Sequence, residues 1–463
     1  MTKPRQASVT ALLLAGLMAL GVAADAAAQL PAAEAAAAAE PGPESRLPML
    51  LGAQYTFVLQ KQSALRSPYQ ARLSLHPDGD RQSTHTIGIY SGWAPSSWGQ
   101  VYFDAEKFMG AAVSGATGLG ALTNGDVVRE GTGLKKQFYN ARLYARVMLP
   151  LGPASAAVAR AQDQVPGVEA SRRMELKVGR LSVSDDIDRN RYAGATRIEF
   201  MSSSLWQNTA WDYAANTRGY SDGVMLGYIS PDWALRYAMF RMPLYANGQT
   251  LETLARARGE NLELALTPQS RSTVVRLLAY RNTARMGDYL QALAAASGAP
   301  PSVQSTDRDG RHKVGFGVNA EQPLGDGGES GLFMRAGWND GKTEDFAFTE
   351  VDREVSIGAQ LSGSHWQRSD DRLGAGLVVE GLSDPHRRYL EAGGLGFALG
   401  DGRLNYGHEE VFETYYRAQW QWSPVGTPIR VQLGPDLQYI QNPGFNQDRG
   451  PVRFYSVRLH LEY

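Results

Sequence analysis

The last nine residues set the pattern. Tyr455, Val457, Leu459, Leu461 and Tyr463 fall on one face, and Ser456, Arg458, His460 and Glu462 on the other. A period of two sends successive side chains to opposite faces of a β-strand. The pattern recurs along the chain. Phe412, Thr414, Tyr416, Ala418, Trp420 and Trp422 alternate with Glu413, Tyr415, Arg417, Gln419 and Gln421. Trp233, Leu235, Tyr237 and Met239 alternate with Ala234, Arg236 and Ala238, and Leu332, Met334, Ala336 and Trp338 with Phe333, Arg335, Gly337 and Asn339. Tyr139, Ala141, Leu143, Ala145, Val147 and Leu149 alternate with Asn140, Arg142, Tyr144 and Arg146. Any one of these segments suits a half-buried strand of a soluble sandwich. Their repetition to the last residue, with Trp and Tyr closing the apolar faces, suits strands that meet lipid on one face and water on the other.

The connections alternate in length. Short ones lie at Trp93–Trp98, Ser230–Asp232, Thr267–Arg271, Gly325–Ser330, Arg368–Asp371 and Ser423–Thr427, and most carry Pro, Gly, Asp or Ser as turns do. A seventh, Pro150–Ser171, is longer and rich in Ala, Val and Gln. Eight other loops, mostly longer, fall near 61–81, 109–135, 184–219, 243–258, 284–311, 341–353, 383–410 and 441–451. With both chain ends on the periplasmic side, eight loops and seven turns require sixteen strands, an even number as a bacterial barrel demands. The expected fold is all-β: a 16-stranded antiparallel transmembrane β-barrel with long extracellular loops and short periplasmic turns. Gly434-Pro435 interrupts the fifteenth strand, where a bulge is expected because proline cannot join the ladder.

The N-terminus reads as an export signal. Lys3 and Arg5 precede an apolar run from Val9 to Val22, then small residues around Ala24-Asp25-Ala26 and Ala26-Ala27-Ala28. The expected organisation is a cleaved signal peptide over 1–28, a flexible Ala/Pro-rich periplasmic lead-in over 29–51 and the barrel over 52–463. No later segment has the run of apolar residues a membrane-spanning helix needs. The mean hydropathy of −0.32 argues against a helical membrane protein but agrees with a barrel, whose strands are half polar. The balance of 46 basic against 47 acidic residues argues against a nucleic-acid partner, and the absence of cysteine excludes disulfides and thiolate metal sites.

A sixteen-stranded barrel encloses an aqueous channel, whereas eight strands are filled by their own side chains. Alternation alone selects candidates for its lining: Asp104 and Glu106 on the third strand, Arg142, Tyr144 and Arg146 on the fourth, and Glu175 and Lys177 on the fifth. Glu321, Arg335, Glu413, Tyr415 and Arg417 follow further round. Adjacent acidic and basic strands set up a transverse field, and arginine presents a planar fork suited to vicinal hydroxyls or to an anion. The plainer reading is that these charges pair and merely make the wall polar. Two loops, Met109–Gly131 and Ser184–Gly219, exceed what capping strands requires. Folded inward they narrow the lumen; left outside they cap the surface.

The stretch from Val178 to Gly227 resembles the carbohydrate-selective porins of the OprB type. The likeness rests on Gly179-Arg180-Leu181, Asp185-Asp186-Ile187-Asp188, Asn190, Tyr192-Ala193, Phe200-Met201, Trp206, Ala210-Trp211-Asp212-Tyr213, Thr217-Arg218-Gly219-Tyr220 and Gly223. The chain departs from that family at Asp186-Ile187, where Phe-Phe is usual, and at Ala214, where Pro is usual. The resemblance implies a sixteen-stranded outer-membrane porin for passive uptake of small saccharides. It makes Asp185, Asp186, Asp188, Arg191, Trp206, Trp211 and Asp212 candidates for a constriction loop. The partners implied are outer-membrane lipid and saccharide solutes, with a homotrimer left open beside a monomer.

No catalytic constellation stands out. There is no HExxH zinc motif and no GxSxG elbow, and Ser364-His365 are sequence neighbours that point opposite ways. Neither a cofactor nor a metal is expected. The competing readings are a general or anion-preferring porin, a barrel-embedded hydrolase and a surface barrel that binds a partner.

Overall fold

The computed structural model describes residues 49–129, 134, 136–268, 272–424 and 428–463; the expected signal peptide and most of the lead-in lie outside the described residues. The strands, in order, are β1 (Met49–Gln62), β2 (Asp80–Ser96), β3 (Gly99–Gly110), β4 (Tyr139–Pro150), β5 (Ser155–Val158), β6 (Gly167–Ala170), β7 (Arg173–Leu181), β8 (Ser221–Ile229) and β9 (Trp233–Arg241). They continue with β10 (Arg258–Leu266), β11 (Val274–Met286), β12 (Arg308–Pro323), β13 (Gly331–Asn339), β14 (Arg353–Ser362), β15 (Arg372–Gly381), β16 (Glu409–Trp422), β17 (Ile429–Gln441) and β18 (Val452–Glu462).

All but β5 and β6 form one closed antiparallel barrel of sixteen strands. Closure joins the two chain ends: β1 pairs with β18 from Gln54 opposite Glu462 to Gln62 opposite Phe454. A closed ladder leaves no unpaired edge, which is what allows β-structure to cross a hydrocarbon layer. Among the described residues no helix is long and apolar enough to span. β1 begins at Met49, inside the segment expected to be lead-in. The connections keep the expected rhythm, with Ser230–Asp232 found as foreseen between β8 and β9.

The alternation sorts the faces as its period predicts. Leu143, Trp233, Leu235, Trp422, Tyr455 and Val457 are exposed on the outside, while Glu413, Tyr415, Arg335 and Ser456 are buried inside. Two local expectations fail. In β4 the partners step from Asp104–Arg142 to Ala105–Asn140, so Ala141 is an extra residue, a β-bulge. The start of β4 is therefore inverted: Tyr139 turns inward, donating to the Glu106 carboxylate at 2.9 Å, and Asn140 turns outward. The bulge expected at Gly434-Pro435 is absent. Register is constant on both sides, and only the pairs opposite Tyr416 and Arg417 are missing. Pro435 has no N–H to donate, and Gly434 lets the strands close up, since a Cβ there would lie 1.6 Å from the Tyr416 carbonyl oxygen.

Among the described residues, short α-helices stand in the connections, the shortest being Ser203–Trp206 between β7 and β8. Tyr289–Ala295 is capped by Asp288, which accepts from the Gln291 amide, and Asp384–Glu391 by Ser383, which accepts from His386, with Pro385 in its first turn.

Because Val457 sits midway along β18 on the outer face, Val457→Arg is expected to cost about 2–4 kcal/mol if that position lies at the bilayer midplane. Denaturant titration of the protein folded in lipid measures this, and an unchanged midpoint would contradict the lipid-facing assignment.

Candidate functional site

The connection from β7 to β8, residues 182–220, does not stay outside the barrel. It enters the lumen and is fastened across it. Asp185 accepts two hydrogen bonds from Arg142 of β4, both 2.8 Å, and Arg142 also pairs with Asp104 of β3 at 3.0 Å. Burial opposes ionisation of Asp185, and the Arg142 guanidinium more than offsets it, holding the carboxyl below its usual range. Lys177 of β7 donates to Asp186 at 2.7 Å. The loop then reaches the far wall, where Arg335 of β13, wholly buried, pairs with Asp188 at 3.1 Å and Asn319 of β12 donates to Asp188 at 2.7 Å. The same guanidinium donates to the carbonyls of Leu205 at 2.7 Å and Ala193 at 2.8 Å.

The loop has little regular structure, so its backbone groups must find partners on the wall. Inward carboxylates supply acceptors. Glu263 of β10 takes the Asp188 amide and Glu321 of β12 the Arg191 amide, both at 2.7 Å. Glu413 of β16 takes the amides of Met201 (2.5 Å) and Ser202 (2.9 Å), and Glu354 of β14 accepts from the amide and hydroxyl of Thr209. Arginines serve the carbonyls: Arg417 of β16 donates to Ile198 at 2.9 Å and Arg458 of β18 to Thr196 at 2.7 Å. Trp211 donates its indole N–H to Asn261 of β10 at 2.9 Å, and Asp212 accepts from the Phe346 and Ala347 amides, both at 2.9 Å.

The wall is also shaped for the loop. A Cβ at Gly331 would stand 2.0 Å from the Tyr192 ring, at Gly337 2.1 Å from Asn208, and at Gly376 2.6 Å from Leu205. Phe200 packs edge-on against Phe333 and Tyr415 with centroids 5.3 and 5.0 Å apart, completing an apolar contact inside the barrel. The loop from β3 to β4 also turns inward: Thr123 exchanges hydrogen bonds with Gln60 of β1, and the Leu122 amide donates to Ser203.

A second element enters from the opposite end. The connection 151–172 contains the hairpin β5–β6, which folds back under the barrel. Arg160 donates to the carbonyls of Leu51 and Tyr463, tying the connection to the chain ends. Val165 is buried, with its amide on the Tyr102 hydroxyl at 3.2 Å. Asp163 approaches Arg142 at 3.3 Å, and Glu169 pairs with Arg146 at 2.5 Å and Arg173 at 3.1 Å. Arg142 is thus held by acids from both ends of the barrel.

All the strand residues selected by alternation point inward, but most are engaged. Asp104, Glu106, Arg142, Arg146, Glu175, Lys177, Glu321, Arg335 and Glu413 hold one another or the loops. Tyr144 stacks on Tyr102 at 5.0 Å, and the Tyr415 hydroxyl donates to Gln360 at 2.8 Å. These groups are spent on one another and on the inward loops. Of the loop residues, Asp185, Asp186, Asp188, Trp211 and Asp212 are anchors. Trp206 lies against Gly125, and Arg191 keeps an exposed side chain. Residues not selected include Arg197, which bridges Glu106 and Asp126, and the anchors Glu263, Glu354 and Arg458. The inward positions of the strand anchors were open to the same alternation, and the inward glycines of β13 and β15 mark where the loop approaches.

A closed sixteen-stranded barrel with a loop drawn across its lumen is the architecture of an outer-membrane diffusion channel. Residues 168–463 match the family model described as carbohydrate-selective porin, OprB family, and the chain belongs to that family. It is a saccharide porin of the Gram-negative outer membrane. The high-pH structure of Pseudomonas putida OprB is similar, with a TM-score of 0.64 at 15% identity, covering 90% of this chain and 94% of that one. The low-pH structure of the same protein gives 0.44 at 11% identity over 90% and 93%, and Vibrio cholerae OmpT lacking loop L8 gives 0.45 at 11% over 90% and 99%. No curated protein matches the sequence.

Removing the central anchor tests the crossing. Arg335→Ala leaves Asp188 a buried, unpaired charge, expected to cost about 3–5 kcal/mol. The loop should loosen and single-channel conductance in planar bilayers should rise; conductance equal to that of the unmodified protein would mean the loop is held without this pair. Replacing 154–170 by a short Gly-Ser turn is expected to raise conductance independently, because it withdraws Asp163, Val165 and Glu169 from the periplasmic mouth.

Proposed function

We propose that the loop 182–220 is the size-selecting element of this porin, and that sugars pass along its exposed segment, residues 189–198, against an arc of arginines. The observation that carries this reading is the exposure of that segment. Arg189, Arg191 and Gly194 are exposed and Ala195–Ile198 half-buried, with Asn190, Tyr192 and Ala193 buried between them, whereas most of residues 199–217 are buried. The arc is tied to the segment by shared partners. Arg236 of β9 lies 3.7 Å from Glu263, and Arg276 of β11 lies 3.3 Å from Glu321. Glu329 stands between Arg372 of β15 and Arg191. Arg236, Arg276 and Arg372 lie near the periplasmic ends of their strands, so the arc borders the loop from below.

Guanidinium forks donate to vicinal hydroxyls, and the carboxylates beside them accept from the same hydroxyls, so a neutral sugar can exchange its water for the wall. Binding must stay weak for the solute to leave. Pairing with Glu263, Glu321 and Glu329 tempers the positive field and favours neutral solutes over anions. The arrangement supports passive transport. We also propose a homotrimer, supported by an apolar groove on the outer face of β12–β15 lined by Phe316, Val318, Trp338, Val355 and Val379. Native mass spectrometry decides this, a monomer alone counting against it.

Liposome swelling with neutral sugars of rising size and matched charged solutes tests the main reading. Monosaccharides should enter fastest, entry should fall with size, and charged solutes should lag. The double variant Arg191→Ala, Arg276→Ala should slow sugar entry several-fold relative to a small neutral solute such as glycerol. Preferential entry of anions would replace the sugar reading by an anion-preferring porin.

A further inference from the structure

A buried polar cluster lies where the extracellular loops meet the inward loop. Asp345 and Asp352 come from the connection between β13 and β14, and His386 from the helix Asp384–Glu391; all three side chains are wholly buried. His386 Nδ1 is 3.0 Å from Asp352 Oδ2 and 3.9 Å from Asp345 Oδ2. One ligand atom from each residue lies within 4.8 Å of the others. Lys313 of β12 pairs with the other oxygen of Asp345 and stands 4.0 Å from Asp212.

The cluster is incompletely satisfied. Asp345 Oδ2, Asp352 Oδ1, His386 Nε2 and the Tyr289 hydroxyl are buried with no hydrogen-bond partner, and the Tyr289 ring stacks on His386 at 4.4 Å. Buried polar atoms without partners are rare in folded proteins and point to a missing water or ion. Three carboxylates, Asp212, Asp345 and Asp352, are gathered around Lys313 and His386.

We propose that Asp345, Asp352 and His386 bind one divalent transition-metal ion of the zinc class, which fastens the β13–β14 and β15–β16 loops over the extracellular mouth. One imidazole nitrogen with two carboxylate oxygens is a donor set that zinc accepts. Bonds of roughly 2.0–2.2 Å hold donors no more than about 4.4 Å apart; the two Nδ1 separations lie inside that limit, and the three donors together, within 4.8 Å of one another, need only a small closure to meet it. Water would complete the shell. Among the described residues these donors are brought together only by the loops, because 34 residues separate Asp352 from His386.

The test uses the full chain folded in detergent and stripped of metal. Zn2+ should bind at one equivalent by titration calorimetry and elemental analysis, raise the melting temperature, and lose both effects with a chelator. Asp345→Asn and His386→Gln should each weaken binding at least about tenfold. Absence of stoichiometric Zn2+ or Mn2+ binding, or unchanged affinity in both variants, would overturn the site. If the variants do not fold, X-ray absorption of the Zn2+-loaded unmodified protein decides: a shell containing one imidazole supports the assignment and an all-oxygen shell refutes it.

Discussion

A segment threaded through the inside of a barrel carries its backbone N–H and C=O groups away from bulk water, and each needs a partner. The interior is organised around that obligation. Wall carboxylates at Glu263, Glu321, Glu354 and Glu413 receive loop amides, while Arg335, Arg417 and Arg458 serve loop carbonyls. Arg335 matters most, because one buried guanidinium neutralises Asp188 and joins two distant turns of the loop, at Ala193 and Leu205. The paired charges of the wall are therefore framework for the loop, and selectivity is left to the side chains that framework keeps exposed.

The channel is bordered from both ends by related devices. Asp185 descends on Arg142 from the extracellular loop, and Asp163 approaches the same guanidinium from the periplasmic hairpin. A single arginine so shared couples the two elements, since displacing either carboxylate changes the pairing of the other. The family model begins at residue 168, so most of this hairpin lies ahead of the matched region. Its contacts with Tyr102, Arg146 and Arg173 show that it is packed into the barrel rather than trailing from it.

The strand number, the order of short and long connections and the outward aromatic faces were legible in the sequence, because period-two alternation is a local signal and barrel closure counts strands. It misled in two places, both for local reasons. The bulge at Ala141 reverses the faces of Tyr139 and Asn140, and an extra residue leaves no trace in the pattern of apolar positions. At Gly434-Pro435 the strand holds its register, because the adjacent glycine absorbs the missing hydrogen bond by close approach. The candidate site was legible in part: alternation picked out residues that face inward, but could not say whether Glu413 meets water or the amides of Met201 and Ser202.

By itself the sequence determined a membrane barrel of sixteen strands with polar inner walls, two oversized loops and a likeness to saccharide porins. Only the tertiary structure decided that both loops turn inward, that the periplasmic connection folds back beneath them, and that Asp345, Asp352 and His386 meet. The physical reason is range. Strand faces follow from neighbours two residues apart, whereas the pairing of Asp188 with Arg335 spans 147 residues and exists only once the barrel has closed around the loop.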